Sequence, residues 1–309
     1  MGAFHTTGAV LRETHRPLRA GAATGDFLYS VQASFNHLWL SAALGCPIRV
    51  TEATIWSEPP GLTIDAIADQ SIDIDYRWID KLVECHRSIV SHVGGRAAVA
   101  VPWLDGPLDL MVSLLGAERT ALELVDNPAL FEKSMEWLTD FVVETTRQIA
   151  CETPGFAEGY VSRMHIYTSE PSPTVMDDAT WMVSPENYAR YVYPFEKRII
   201  DAFPGSVYHM HNTSTQIMPA LSDTALQAVQ YTVDPNGPDW AVQRAAIASL
   251  QKVKPVVLSC WTIEDAERAR VELVSRGLAI TVVVDTMPDR SPEPRMLEGF
   301  LDWYHRIVR

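Results

Sequence analysis

Hydrophobic and polar positions follow two rhythms along the chain. Short apolar runs occur at 27–31, 48–55, 97–103, 160–167, 206–210, 228–233, 256–260 and 278–284. Most are rich in Val, Ile and Tyr, the composition of strands covered on both faces. Between them the apolar residues recur every three or four positions. The stretch 73–92 carries Ile74, Trp78, Leu82, Val83 and Ile89 on one stripe, and 127–149 carries Leu130, Met135, Leu138, Phe141 and Val142. Further helices are predicted over 35–44 behind Ser34, over 107–115 with Pro107 in the first turn, and over 185–203 with Ser184 as N-cap. The last three are predicted over 240–253, 263–275 and 294–308.

Strand and helix thus alternate eight times. That order predicts one α/β unit with parallel strands. Eight βα units in about 280 residues fit a (β/α)8 TIM barrel, with a doubly wound sheet as the alternative. GxGxxG and GxxxxGK[ST] are both missing, which removes the usual signs of a nucleotide-binding sheet. Residues 1–24 have no clear period and read as an irregular lead-in to a single barrel domain over 25–309.

Composition narrows the function classes. Hydrophobic residues make up 47% of the 309, enough to offset ordering entropy, so disorder is excluded for most of the chain. The net charge of -14 argues against nucleic acid and anionic membranes as partners. No apolar run approaches the ~20 residues of a membrane span. Four cysteines, none in CxxC spacing, suit a reducing compartment. The first 25 residues lack the apolar stretch of a secretory leader, so a cytoplasmic location is expected.

In a TIM barrel the chemistry sits at the C-terminal ends of the strands. Trp56 and Glu58 follow the second run, Trp103 and Asp105 the third. The fourth carries Arg163, His165 and Tyr167, and the fifth ends in Tyr208, His209, His211 and Asn212. Asp234 closes the sixth, Cys260 and Trp261 the seventh, and Asp285 the eighth. His209-x-His211 is the sharpest signal, because alternation on a strand points both rings to one side. Two such imidazoles are half of a metal site. Asp234 is then the natural third ligand, with Cys260 or Asp285 as a fourth. The same pair also reads as a metal-free polar site or as a structural element. Glu58, Asp105, Asp178 and His165 are the candidate acid–base groups. Asp177-Asp178 also reads as a solvated helix start, Asp105 as a turn former, Glu58 as a surface loop acid, and Cys260 as a small buried hydrophobe. Trp56, Trp103, Tyr167, Tyr208, Asn212 and Trp261 are candidates for lining a substrate pocket.

Several ordered segments carry a resemblance. Leu124-Val125-Asp126-Asn127-Pro128 opens a long helix. Asp177-Asp178-Ala179 precedes Ser184-Pro185-Glu186, and Tyr193-Pro194-Phe195-Glu196-Lys197-Arg198-Ile199 follows. Tyr208-His209-Met210-His211-Asn212-Thr213 completes the set. In this order they resemble the uroporphyrinogen decarboxylase superfamily, which includes that decarboxylase and the zinc-dependent corrinoid methyltransferases. The resemblance spans about half the chain and implies a TIM barrel. There are departures. Arg12, Arg16, Pro17 and Arg19 do not form the decarboxylase's R-x-P-x-x-R segment, and Val284-Asp285-Thr286 stands where its late histidine would be. His211 replaces the cysteine of the methyltransferases' His-x-Cys, and no cysteine follows Cys260. The resemblance implies methyl or alkyl transfer on a small organic substrate with a divalent metal, Zn²⁺ or else Fe²⁺ or Ni²⁺. A metal-free decarboxylase of a carboxylated substrate is the alternative. A non-catalytic partner of a corrinoid or tetrapyrrole protein is the third reading. A separate corrinoid protein and a second copy of the chain are the expected protein partners, and no nucleotide cofactor is expected.

Overall fold

The computed structural model describes residues 28, 30–33, 37–51, 55–235 and 237–282. The expected lead-in over 1–24, the expected helix over 294–308 and Asp285 lie outside them. The described chain is mixed α/β, with eleven α-helices and eleven strands. Backbone contacts divide it into two compact units. The first is Met1–Tyr208 with Thr224–Gln227, and the second is His209–Asp223 with Ala228–Arg309. Among the described residues no helix is long and apolar enough to cross a membrane.

In the first unit β1 (Ser30–Val31) pairs in parallel with β4 (Ala98–Val99). α1 (Trp39–Ala43) lies between them in sequence and is wholly buried. The expected strand over 48–55 is instead an antiparallel ribbon, β2 (Ile48–Val50) against β3 (Ile55–Ser57). Arg49 and Val50 are exposed, so the run lacks the two covered faces of an interior strand. α2 (Ile64–Ala68) starts at Thr63, whose hydroxyl accepts from the Ala66 N–H. α3 (Arg77–Val93) stops at Gly94, which takes a left-handed conformation at φ 54°.

α4 (Pro107–Leu115) matches its expected bounds. Gly106 precedes it, and a methyl group there would overlap the Met176 carbonyl and the Asp177 carboxylate. Only glycine lets this helix start so close to another backbone. α5 (Ala117–Asp126) was not expected from the pattern. α6 (Pro128–Glu152) buries Phe131, Met135, Leu138, Val142 and Ile149 along one stripe.

The run expected as one strand over 160–167 is a second ribbon, β5 (Tyr160–Val161) against β6 (Tyr167–Thr168). Ser162 makes its turn, its hydroxyl accepting from the N–H groups of Met164 and Ile166. β7 (Thr174–Met176) is three residues long behind a proline-rich stretch, so it leaves little periodic signal. The helix expected over 185–203 is two, α7 (Pro185–Tyr191) and α8 (Tyr193–Ala202). Pro194 causes the break, since it lacks an N–H and clashes with the carbonyl four residues back. Ser184 caps α7 as expected, accepting from the Asn187 N–H.

β8 (Val207–His211) runs from the first unit into the second. It takes part in the five-stranded sheet, ordered β11-β10-β9-β8-β7. β9 (Ala228–Val233) and β10 (Val256–Cys260) match their expected bounds, and β11 is Leu278–Val282. These three pair in parallel, and the register sets Ser259 opposite Thr232 on one side and Thr281 on the other. α9 (Met218–Leu221), α10 (Trp240–Leu250) and α11 (Ile263–Glu272) complete the second unit. Thr262 caps α11, accepting from the Asp265 N–H at 3.0 Å.

Gly106→Ala is expected to destabilise the protein by about 1–3 kcal/mol, the usual cost of overpacking. Thermal denaturation measures it, and an unchanged Tm would show that the backbone around residue 106 has room to give.

Candidate functional site

The histidine pair of the second unit is built by β8. His209 and His211 stand two residues apart, so both rings project to one side of the strand. Their centroids are 4.9 Å apart and nearly perpendicular, at 87°. One ligating nitrogen of each ring lies within 4.8 Å of the other's. His209 is buried, and the His211 side chain is one-third exposed.

Each ring is oriented through Nδ1. Nδ1 of His209 meets the Gln230 side-chain oxygen. That amide is itself fixed, because its NH₂ donates to the Thr232 hydroxyl at 3.0 Å and the Ser259 hydroxyl at 2.8 Å. The Thr281 hydroxyl donates to the Leu258 carbonyl at 3.2 Å, so Ser259 donates to Thr281 at 3.0 Å. The Ser259 proton therefore points away from Gln230, which presents its NH₂ to Ser259 and its oxygen to His209. The His209 Nδ1 is a donor in consequence, and Nε2 carries the lone pair of the neutral ring.

Nδ1 of His211 bonds Oδ2 of Asp234 at 2.6 Å. Oδ1 of Asp234 accepts from the Trp261 indole at 3.1 Å. Partial burial raises the Asp234 pKa, but the His211 hydrogen bond and charge, with the Trp261 donor, outweigh it and hold the carboxyl below its ordinary value. The expected third ligand thus stands behind His211 as its orienting carboxylate, with both oxygens engaged. Asn212, expected to bind substrate, is fully buried and donates to the Asp234 carbonyl at 2.8 Å. Gly237 packs on that amide so closely that a methyl would overlap it. Cys260 is buried, and burial, with the nearby Asp265 charge, pushes its thiol up to about 12. That is the opposite of what favours a thiolate ligand. Trp261 is 37% exposed and pinned by its bond to Asp234, which suits a pocket wall.

The first unit holds a group of acids. Asp105 is buried, accepts from the Ser41 hydroxyl at 2.7 Å, and lies 3.6 Å from Nε2 of His37. Burial, with a smaller push from Asp178, raises its pKa from 3.8 to about 7 against the Ser41 bond. Asp109 and Asp177 cap each other's segments. Oδ1 of Asp177 accepts from the Asp109 N–H at 2.8 Å in the first turn of α4. The Asp109 carboxylate accepts from the N–H groups of Asp178 and Ala179 at 2.9 and 2.8 Å, the start of a short 3₁₀ helix over Asp178–Met182. Glu196 accepts from the hydroxyls of Tyr188 and Tyr208. Burial foremost, then the neighbouring carboxyls, raise Asp109 and Asp177 well above the ordinary range.

Other expected site residues fall elsewhere in the first unit. Glu58 forms an exposed ion pair with Arg49 at 2.8 Å, and Trp56 is exposed on the same ribbon. The Tyr208 hydroxyl donates to Glu196 at 2.7 Å. Tyr167 is exposed, its hydroxyl bonded to the Ala157 carbonyl at 2.6 Å. His165 sits in the β5–β6 turn at φ 61° rather than on a strand. Burial chiefly lowers its pKa. Trp103 lies under the Arg163 guanidinium, 3.8 Å from the ring centroid. Sequence reasoning missed Gln230, Asp109, Glu196 and His37 as parts of these groups. The one available signal was Gln230, a lone polar side chain within the apolar run 228–233.

The raised Asp105 carboxyl has a pH consequence. An acid whose folded pKa lies above its unfolded value stabilises the fold when protonated. Its contribution is full below about pH 4 and is lost as pH rises through about 7. Asp105→Asn, which keeps an acceptor for Ser41, should flatten that loss and stabilise the protein at pH 8 by up to about 4 kcal/mol. Urea titrations at pH 5 and pH 8 test this, and an equal effect at both pH values would refute the raised carboxyl. No protein-family model matches the chain, and no curated protein matches it.

Proposed function

We propose that the chain is an enzyme in which His209 and His211 hold a divalent metal ion, and that it transfers a methyl or alkyl group on a small organic substrate. The reaction class comes from the resemblance to the uroporphyrinogen decarboxylase superfamily. The observation that carries the metal is the double orientation of the pair: each ring has Nδ1 engaged by an acceptor, Gln230 or Asp234. Metal-ligating histidines are held this way, with the second nitrogen donating to an amide or carboxylate oxygen. Two imidazoles without a thiolate suit Zn²⁺, Fe²⁺ or Ni²⁺. Bound there, the ion would supply Lewis acidity to an oxygen or thiol of the substrate.

The chain's own residues do the rest. Gln230 keeps the proton of His209 on Nδ1. Asp234 does the same for His211 and adds negative charge that strengthens Nε2 as a donor to a cation. Trp261 offers an apolar wall beside Asp234. The alternation of strands and helices is that of a (β/α)8 barrel in this reading, supported by the parallel pairings β1–β4 and β9–β10–β11.

A second reading, metal-free decarboxylation, is favoured by Asp105. A carboxyl titrating at about 7 is suited to giving a proton to a carbanion left by CO₂ loss.

Elemental analysis by inductively coupled plasma mass spectrometry separates the two. Wild type should carry stoichiometric metal, and His209→Ala and His211→Ala should each lose it. Gln230→Leu should weaken metal binding by about 10–100-fold, the usual effect of removing an orienting partner. Wild-type protein that stays metal-free after incubation with Zn²⁺, Fe²⁺ or Ni²⁺ overturns the metal reading and leaves decarboxylation.

A further inference from the structure

The first unit contains a cation that the metal reading does not use. Arg163 lies in the turn after β5, with its guanidinium over the face of Trp103 at 3.8 Å. His37 is on the same indole, with ring centroids 5.7 Å apart, and reaches Asp105 at 3.6 Å. Among the described residues no carboxylate forms an ion pair with Arg163. Its one side-chain hydrogen bond is a weak 4.0 Å contact from Nη1 to the Met164 sulfur, and its Nε is enclosed without an acceptor.

That arrangement is costly on its own. A guanidinium has five N–H donors in one plane, and stacking satisfies only its face. Burial pulls Arg163 down to about 10, and no acid offsets the pull. Burial lowers His37 to about 4, with the Arg163 charge adding to the shift, so that ring is neutral at pH 7. Arg163 is therefore the charge that persists in this group. Among the described residues Asp105 forms no ion pair with it; its carboxyl accepts from Ser41 and approaches His37 instead. Enclosed charges in proteins are paired with an opposite charge. Among the described residues there is a stacking platform and no paired anion.

We propose that Arg163, seated on Trp103, is the recognition point for the carboxylate of a small organic acid. The ligand's two oxygens accept from the guanidinium edge, and Trp103 holds the plane of the guanidinium for this charge-assisted contact. His37, on the same indole, is neutral at pH 7 and adds no competing charge, and Asp105 is turned to Ser41 and His37. The site gives a chain of net charge -14 one local point that selects anions. It does not depend on metal at the histidine pair.

Isothermal titration calorimetry with three acid–amide pairs tests it: acetate against acetamide, succinate against succinamide, and benzoate against benzamide. At least one acid should bind wild type tenfold or more tightly than its amide, and Arg163→Met should abolish that preference. If no acid is preferred, or if Arg163→Met keeps the preference, the proposal fails. Should Arg163→Met not fold, wild-type protein labelled with ¹⁵N-arginine decides. The Arg163 Nε–H resonance, assigned through its loss in Arg163→Lys, should shift with the preferred acid and not with its amide. An unmoved resonance overturns the proposal.

Discussion

The register of β9, β10 and β11 determines the chemistry of the second unit. It aligns Thr232, Ser259 and Thr281 in one row across the three strands. Gln230 sits two residues before Thr232, on the same face. The row fixes the hydroxyl protons of Ser259 and Thr281, then the amide of Gln230, then the tautomer of His209. A slip of one residue would turn each side chain to the other face of the sheet. Ser259 would leave the Gln230 amide, and nothing would then decide which way that amide points. The electronic state of a buried imidazole is thus set by backbone pairing more than 20 residues along the chain.

Two sets of carboxyls are treated in opposite ways. Asp234 is only partly enclosed and gathers His211 and Trp261 as donors, so it stays ionised. Asp105, Asp109, Asp177 and Glu196 are buried, and each is pushed toward its protonated form. Two different tools result: a charged acid that orients a base, and buried acids with raised pKa values that serve as hydrogen-bonding groups. Formal charge counts all five alike, so a net charge of -14 overstates the anionic character of the interior.

Much of this was legible in the sequence where local pattern governs. Pro107–Leu115, Ala228–Val233 and Val256–Cys260 have the bounds that periodicity predicts. The shared side of His209 and His211 followed from strand alternation, and Ser184 and Pro107 marked the helix starts expected of them. Partnerships between distant residues were not legible. Asp109 and Asp177 are 68 positions apart, and Asp109 reads locally as a first-turn acid on a solvated helix. Glu196 lies between Phe195 and Lys197, where an acid looks like surface. The ribbons at 48–57 and 160–168 were misread because apolar composition does not reveal whether a run has one covered face or two. Asp234 was placed correctly at a strand end, yet whether it faces a metal or a histidine depends on a contact that spacing does not encode.

The reciprocal caps of Asp109 and Asp177 also bear on how the first unit assembles. A helix start leaves N–H groups that a nearby side chain normally satisfies. Here the first turn of α4 is satisfied by Asp177, and the 3₁₀ helix after β7 by Asp109. Neither start can be completed by its own neighbourhood. Each waits for a segment about 70 residues away, so the two ends form and open together as one cooperative element. Gly106 is the contact point that allows this joining. The chain has in effect replaced two local stop-and-start signals with a single long-range latch, and the amides of Asp109, Asp178 and Ala179 share one opening event in hydrogen exchange.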